Sequence, residues 1–267
     1  MSEVERLRTQ LKRLRLNTMA DIFEEEATKA AKAQVSYTAF LAHLADEELA
    51  TKVDRSIHAR IGKARLPVLR TLEEFDFAFQ PSLSATRVRE LAELGFLERA
   101  ENILFVGRPG VGKTHLATAL ALRACQARKR VLFMQTLELL EQLLAAAVTR
   151  SLGKFIESLG RLDLLVLDEL GYTPMDSQQA NLLFQLVNRL YTRVSLILTT
   201  NVPFDAWGKL LGGDEMIASA ILDRLLHHSH VFLITGPSYR MRGKLDSPGP
   251  AAQPILAEMP KLGHDVG

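Results

Sequence analysis

The sequence predicts an α/β protein in which a five-stranded parallel sheet carries helices on both faces, preceded by a small all-α N-terminal domain. Three observations lead there. Short apolar, β-prone runs recur at Asn102–Val106, Arg130–Met134, Asp163–Asp168, Ser195–Thr200 and His230–Ile234. Helical stretches such as Leu137–Ala147 and Gln178–Tyr191 lie between them. Strands separated by helices pair in parallel and are covered on both sides. Residues 1–66, by contrast, carry no β pattern and read as helical throughout.

Within that first domain, Val4, Leu7, Leu11 and Leu14 recur at spacings of three and four, which places them on one face of a helix. A second helix is expected from about Asp21 to Lys32. A third starts at a Ser36 cap, runs through Phe40, Leu41, Leu44 and Leu49, and is ended by Pro67. Residues 67–81 read as a linker in which Phe75, Phe77 and Phe79 alternate. A helix over Ala85–Arg99 opens the second domain, residues 82–244. Residues 245–267 contain Asp246-Ser-Pro-Gly-Pro and read as a flexible tail.

Composition narrows the class. The chain has 267 residues, 47% hydrophobic and 24% charged, which is ordinary for a soluble globular protein. No apolar run is long enough to span a bilayer and no signal peptide is legible, so the expectation is a cytoplasmic protein with no membrane partner. The single cysteine, Cys125, excludes an internal disulfide and fits a reducing compartment. A net charge of +2 does not announce nucleic acid, but the distribution of charge says more. Arg6, Arg8, Lys12 and Arg13 crowd the first helix, and Arg55, Arg60, Lys63 and Arg65 crowd the end of the third. These are the candidate DNA contacts, and they make 1–66 a candidate DNA- or partner-binding domain. The alternative is a set of solvated helix faces paired with Glu24–Glu26 and Asp46–Glu48.

The chemistry concentrates in Gly107-Arg-Pro-Gly-Val-Gly-Lys113-Thr114, which fits the phosphate-loop pattern G-x-x-x-x-G-K-[ST] at every fixed position. It lies between a β-prone run and an Ala/Leu-rich helical one, the context in which the pattern becomes a site. Backbone N–H groups of such a loop, with the helix N-terminus behind them, present positive partial charge to a phosphate chain. Gly107, Gly110 and Gly112 let the backbone curl, and Pro109, Val111 and His115 complete the candidate cofactor-contacting set. Lys113 is expected at the β and γ phosphates of ATP, and the Thr114 hydroxyl on Mg²⁺.

Four further positions extend the site. Leu164-Leu-Val-Leu-Asp168-Glu169 is a buried strand that ends in two carboxylates. Asp168 is the candidate Mg²⁺ holder and Glu169 the candidate general base. Leu196-Ile-Leu-Thr-Thr-Asn201 delivers Asn201 at a strand end, either to orient the attacking water or simply to enter a turn. Arg224, near the end of an amphipathic helix, is a candidate arginine finger for a neighbouring subunit, or else half of a surface pair with Asp223. Arg240, in Ser238-Tyr-Arg240, is a candidate contact to the γ-phosphate of its own subunit. His227 and His228 point about 100° apart on a helix and do not share a metal ion easily.

At these places the chain resembles the AAA+ ATPases, which are P-loop NTPases. Within them it is most similar to the IstB/DnaC group of transposition helpers and replicative helicase loaders. The likeness covers about residues 5–244 and includes Gly-Lys113-Thr-His115-Leu-Ala117, Asp168-Glu-Leu-Gly171-Tyr172, Ile221-Leu-Asp223-Arg-Leu-Leu-His227-His228 and Gly236-Pro-Ser-Tyr239-Arg240. Leu11-Lys-Arg-Leu-Arg-Leu16 and Leu72-Glu-Glu-Phe75-Asp-Phe77 resemble the insertion-sequence helper branch. The resemblance implies a sensor-1 role for Asn201, a finger role for Arg224 and a sensor-2 role for Arg240. It also implies an ATPase that forms a homo-oligomer, ring or helical, on duplex DNA, remodels that DNA, and recruits or stimulates a cognate transposase. The alternative it leaves is a DnaC-like loader, gripping a helicase and single-stranded DNA.

Overall fold

In the computed structural model, which describes residues 1–242, all five expected strands form: β1 (Asn102–Gly107), β2 (Val131–Gln135), β3 (Leu164–Leu170), β4 (Ser195–Thr200) and β5 (Ser229–Ile234). The expected tail, and the last two residues of the expected second domain, lie outside the described residues. The strands pair in parallel in the order β2-β3-β4-β1-β5. All five therefore end on the same edge of the sheet, with β1, β4 and β3 side by side.

Both faces are covered, and the strand residues show it by alternation. Leu165 and Leu167 of β3, with Leu196 and Leu198 of β4, join one core cluster, while Leu164, Val166 and Ile197 join the other. Successive strand side chains point to opposite faces, so apolar residues at every position require cover on both. One face packs against α6 (Lys113–Gln126), which follows the phosphate loop. The other carries α7 (Thr136–Val148), α8 (Leu152–Leu159), α9 (Ser177–Leu190), α10 (Trp207–Leu210) and α11 (Glu215–Leu226). The short helix α8 is not legible in the sequence pattern. The single helix expected over Ala85–Arg99 is instead two, α4 (Ala85–Ala92) and α5 (Gly95–Glu98). Leu94 between them adopts φ +65°, a left-handed conformation that ends a helix.

The N-terminal residues form α1 (Glu3–Arg13), α2 (Asn17–Lys32) and α3 (Tyr37–Ala64). Ser2 and Glu5 close a reciprocal capping box on α1, and the Ser36 hydroxyl accepts from the Ala39 N–H at the start of α3. Met19, Phe23 and Leu44 make a small core, joined by Leu11, Leu16 and Phe40. The expected apolar face of α1 is only partly used: Val4, Leu7 and Leu14 remain exposed. The far end of α3 belongs to a different core. Ala64 packs with Leu72, Leu83 and the α6 side chains, and Phe75 and Phe77 lean on the same cluster. Residues on both sides of the boundary expected at 66 thus share one apolar core, and the stretch 67–81 is a strap laid on the α6 side of the sheet.

Glu48 of α3 is 2% exposed and holds the start of α2, where Leu16 offers no side-chain cap. Its Oε2 accepts the Met19 N–H at 2.9 Å, and Lys52 Nζ stands 3.4 Å from Oε1. Burial works to raise its pKa, but the Met19 N–H and Lys52 outweigh this, leaving it below the usual value. A depressed carboxylate stabilises above its unfolded-state pKa of about 4.3 and loses that contribution as pH falls through the folded value. We expect Glu48→Ala to lower stability at pH 7 by about 1–3 kcal/mol, measured by urea unfolding. The difference from the unsubstituted protein should shrink as pH falls below about 4.

Candidate nucleotide-binding site

A cleft of about 740 Å³ opens at the C-terminal edge of the strands. The loop Pro109–His115 forms its floor, and Glu169, Asn201 and Arg240 line it from three other segments. Pro109–His115, Glu169, Asn201 and Arg240 are therefore brought together from points up to 131 positions apart in the chain.

The loop curls because its glycines allow it. Gly112 has φ +100°, and a Cβ there would lie 2.6 Å from the Phe75 ring. Any other residue at 112 meets both a strained backbone and a filled space. Lys113 Nζ donates to the carbonyls of Gly107 at 2.7 Å and Arg108 at 3.0 Å. Burial of the ammonium pushes its pKa down, so an anion placed in the loop would be a better partner for it than these neutral carbonyls.

Asp168 is 4% exposed, and Thr114 Oγ1 lies 3.0 Å from each of its carboxylate oxygens. In a regular strand the next side chain, Glu169, would point to the opposite face of the sheet. Instead β3 breaks register with β4 between Leu167 and Leu170, and Glu169 adopts φ +59°. The break turns Glu169 into the cleft lined by the phosphate loop. Thr136 Oγ1 donates to the Asp168 carbonyl at 2.9 Å and anchors the pair from the other side. One carboxylate and one hydroxyl suit Mg²⁺, which takes most of its oxygens from phosphates and water. Among the described residues no group of three or more acidic, His or Cys side chains offers a self-sufficient metal site.

The sequence did not single out the strap as part of the site. Phase and spacing of its aromatics were visible, but their target was not. His115 Nε2 lies 2.8 Å from the Thr71 carbonyl, and the His115 ring meets Phe75 edge-on at 5.2 Å. Gln80 Nε2 donates to the Pro237 carbonyl at 2.7 Å, and Arg242 pairs with Asp76 at 2.7 Å. The cleft wall is thus a strap from before β1 tied to a segment from after β5.

Arg224 lies outside this cleft, on α11. Its Nε donates to Asn188 Oδ1 at 2.9 Å and Nη1 to the Ala220 carbonyl at 2.7 Å, with the guanidinium 5.1 Å over Phe184. The alternative surface pair with Asp223 is not formed. His227 packs between Tyr191 and His228, the latter stacked at 4.1 Å.

The candidate DNA contacts divide. Arg8 pairs with Glu24, Lys12 with Asp21 and Arg65 with Glu138. Arg60 is half-buried, with its Nε lacking any partner among the described residues, so it belongs to the packing of α3 on the second domain. Arg6, Arg13, Arg55 and Lys63 are exposed, with no ion pair among the described residues. Among the described residues no helix is long and apolar enough to cross a membrane.

The chain is similar to known proteins. The chain is 44% identical over 234 residues to a protein of Pseudomonas aeruginosa named for ATP binding in insertion sequence IS21, covering 88% of each chain. A protein of Geobacillus stearothermophilus, named for ATP binding in insertion sequence IS5376, is 40% identical over 240 residues, 90% of this chain and 95% of that one. Among solved structures, AMPPCP-bound DnaA from Aquifex aeolicus aligns with TM-score 0.52 at 22% identity, covering 63% of this chain and 51% of that one. Domain III of DnaA from Thermotoga maritima aligns with TM-score 0.50 at 20% identity, covering 64% and 69%. These two share the AAA+ P-loop fold. The family described as IstB-like ATP binding protein matches residues 9–247, and the chain belongs to it.

Proposed function

We propose that the protein is an ATPase serving insertion-sequence transposition: it assembles on duplex DNA with ATP, remodels that DNA, and recruits or stimulates a partner transposase. One observation carries the reading. A phosphate loop that lines one cleft with Glu169, and a buried Asp168 carboxylate held against Thr114 of that loop, occur in a chain whose relatives are named for ATP binding in insertion sequences. The helicase-loader alternative draws no support from those relatives.

The loop N–H groups and Lys113 take the β and γ phosphates of ATP, with Lys113 leaving the carbonyls of Gly107 and Arg108. Thr114 and Asp168 would hold Mg²⁺, which when bound neutralises phosphate charge and fixes its geometry. Glu169 accepts a proton from water as the water oxygen bonds to the γ-phosphorus. The bond from that phosphorus to the bridging oxygen breaks, giving ADP and phosphate. Asn201 orients the water, and Arg240 reaches the γ-phosphate from the same subunit. Among the described residues Arg224 is held by an amide, a carbonyl and a ring and pairs with no acid. It serves the cleft of a neighbour across a head-to-tail interface, the kind that builds rings or helices. In such an assembly the exposed Arg6, Arg13, Arg55 and Lys63 repeat, and weak phosphate contacts sum.

Three outcomes are expected. Lys113→Ala should weaken a fluorescent ATP analogue about 10–100-fold, the loss of a charged hydrogen-bond donor. Glu169→Gln should retain that binding while turnover falls at least about 100-fold. Arg224→Ala should lower turnover about 10³-fold or more and abolish its rise with protein concentration. Steady-state ATPase assays with and without duplex DNA, alongside electron micrographs of the same mixtures, test the assembly. Turnover indifferent to duplex DNA, with no DNA-bound oligomer, would remove the DNA-remodelling role.

A further inference from the structure

We infer that Thr199 is a positioning residue for ATP hydrolysis, its single hydroxyl setting both members of the Asp168–Glu169 pair. The inference rests on the reading above, in which these two carboxylates serve hydrolysis.

The pairing of β3 with β4 runs from Leu164↔Ser195 to Leu167↔Leu198 and resumes at Leu170↔Thr200. Two residues of β3, Asp168 and Glu169, therefore stand opposite one residue of β4, Thr199. This is the geometry of a β-bulge, a device that re-aims a side chain near a site. Thr199 is fully buried in that gap. Its Oγ1 donates to Asp168 Oδ1 at 2.5 Å and accepts the Glu169 N–H at 2.9 Å. A hydroxyl has one proton to give and lone pairs to receive, so the accounting closes on these two partners.

Each bond fixes something different. The first orients the Asp168 carboxylate, which also faces the Thr114 hydroxyl across the loop. The second gives the Glu169 amide an acceptor where the strand ladder is broken. Glu169 adopts φ +59°, a conformation few non-glycine residues hold. Its exposed side chain has no hydrogen bond among the described residues, so the direction of the carboxylate is set through the backbone. Valine has the shape of threonine without the hydroxyl. At 199 it would leave the Glu169 N–H without its side-chain acceptor and the Asp168 carboxylate with the Thr114 hydroxyl alone to orient it, while the loop and Lys113 stay as they are.

The test uses the full chain with Thr199→Val, Thr199→Ser and Glu169→Gln. Rates are counted per site that binds a fluorescent ATP analogue, so that any unfolded fraction drops out. Thr199→Val should lower kcat about 10–100-fold, the scale of a misplaced reacting group. Its affinity for the analogue without metal should be unchanged, and it should need more Mg²⁺ to reach tight analogue binding. Thr199→Ser, which keeps the hydroxyl, should restore both kcat and the Mg²⁺ requirement. If the valine protein does not fold, Thr199→Ala carries the same expectations. A wild-type kcat in Thr199→Val, or a serine protein as impaired as the valine one, overturns the proposal. Glu169→Gln separates the two levels. An active Glu169→Gln protein defeats the reading underneath, whereas an inactive one beside an active Thr199→Val defeats Thr199 alone.

Discussion

Parallel pairing of β1 with β4, and of β4 with β3, is the constraint on which the site depends. It carries the ends of three strands to one edge and sets them next to each other. There β1 gives way to the phosphate loop, β3 carries Asp168 and Glu169, and β4 carries Thr199 and leads into Asn201. Apolar residues at nearly every strand position secure the pairing, because each face has helices to bury it. The polar residues are confined to the strand ends, and there they satisfy one another. Thr114 and Thr199 donate to the Asp168 carboxylate and Thr136 to its backbone carbonyl, so a nearly inaccessible carboxylate does not stand alone.

The loop is arranged for an anion. Its ammonium is turned back on its own carbonyls, which satisfy its hydrogen bonds without matching its charge. Arg240 lines the same cleft and adds positive charge. The strap connects this chemistry to the rest of the chain. It follows α3, passes the loop at Thr71 and Phe75, and ends at Gln80 against the segment after β5. Because Ala64 and Leu72 share a core with α6, the end of the N-terminal helices and the start of the phosphate-loop helix are packed as one unit.

Legibility varied with how local the cause was. β4 spans Ser195–Thr200 as its apolar run suggested, since a buried strand needs only its own residues to be recognised. The phosphate loop was legible for the same reason: glycines, lysine and threonine at fixed spacing are the mechanism itself. The apolar stripe of α1 was visible too, but its periodicity did not tell how much of it would be covered, and Val4, Leu7 and Leu14 lie open. Basic residues were countable, yet counting did not separate Arg60, drawn into the packing of α3, from Arg6, Arg13, Arg55 and Lys63, which are exposed. The helix break at Leu94 is a backbone conformation that no side-chain pattern announces.

The amino-acid sequence by itself determined the five strands, the two-sided sheet, the phosphate loop and the carboxylate pair, because each is written in residues that are neighbours in the chain. Only the tertiary structure decided that Glu169 turns into the cleft, that Thr199 holds it there, that the strap walls the pocket and that Arg224 stands apart from it. Those facts depend on partners distant in sequence, such as a hydroxyl 30 positions from the amide it accepts. Such a contact exists only once the chain has closed on itself, and chain order does not record it.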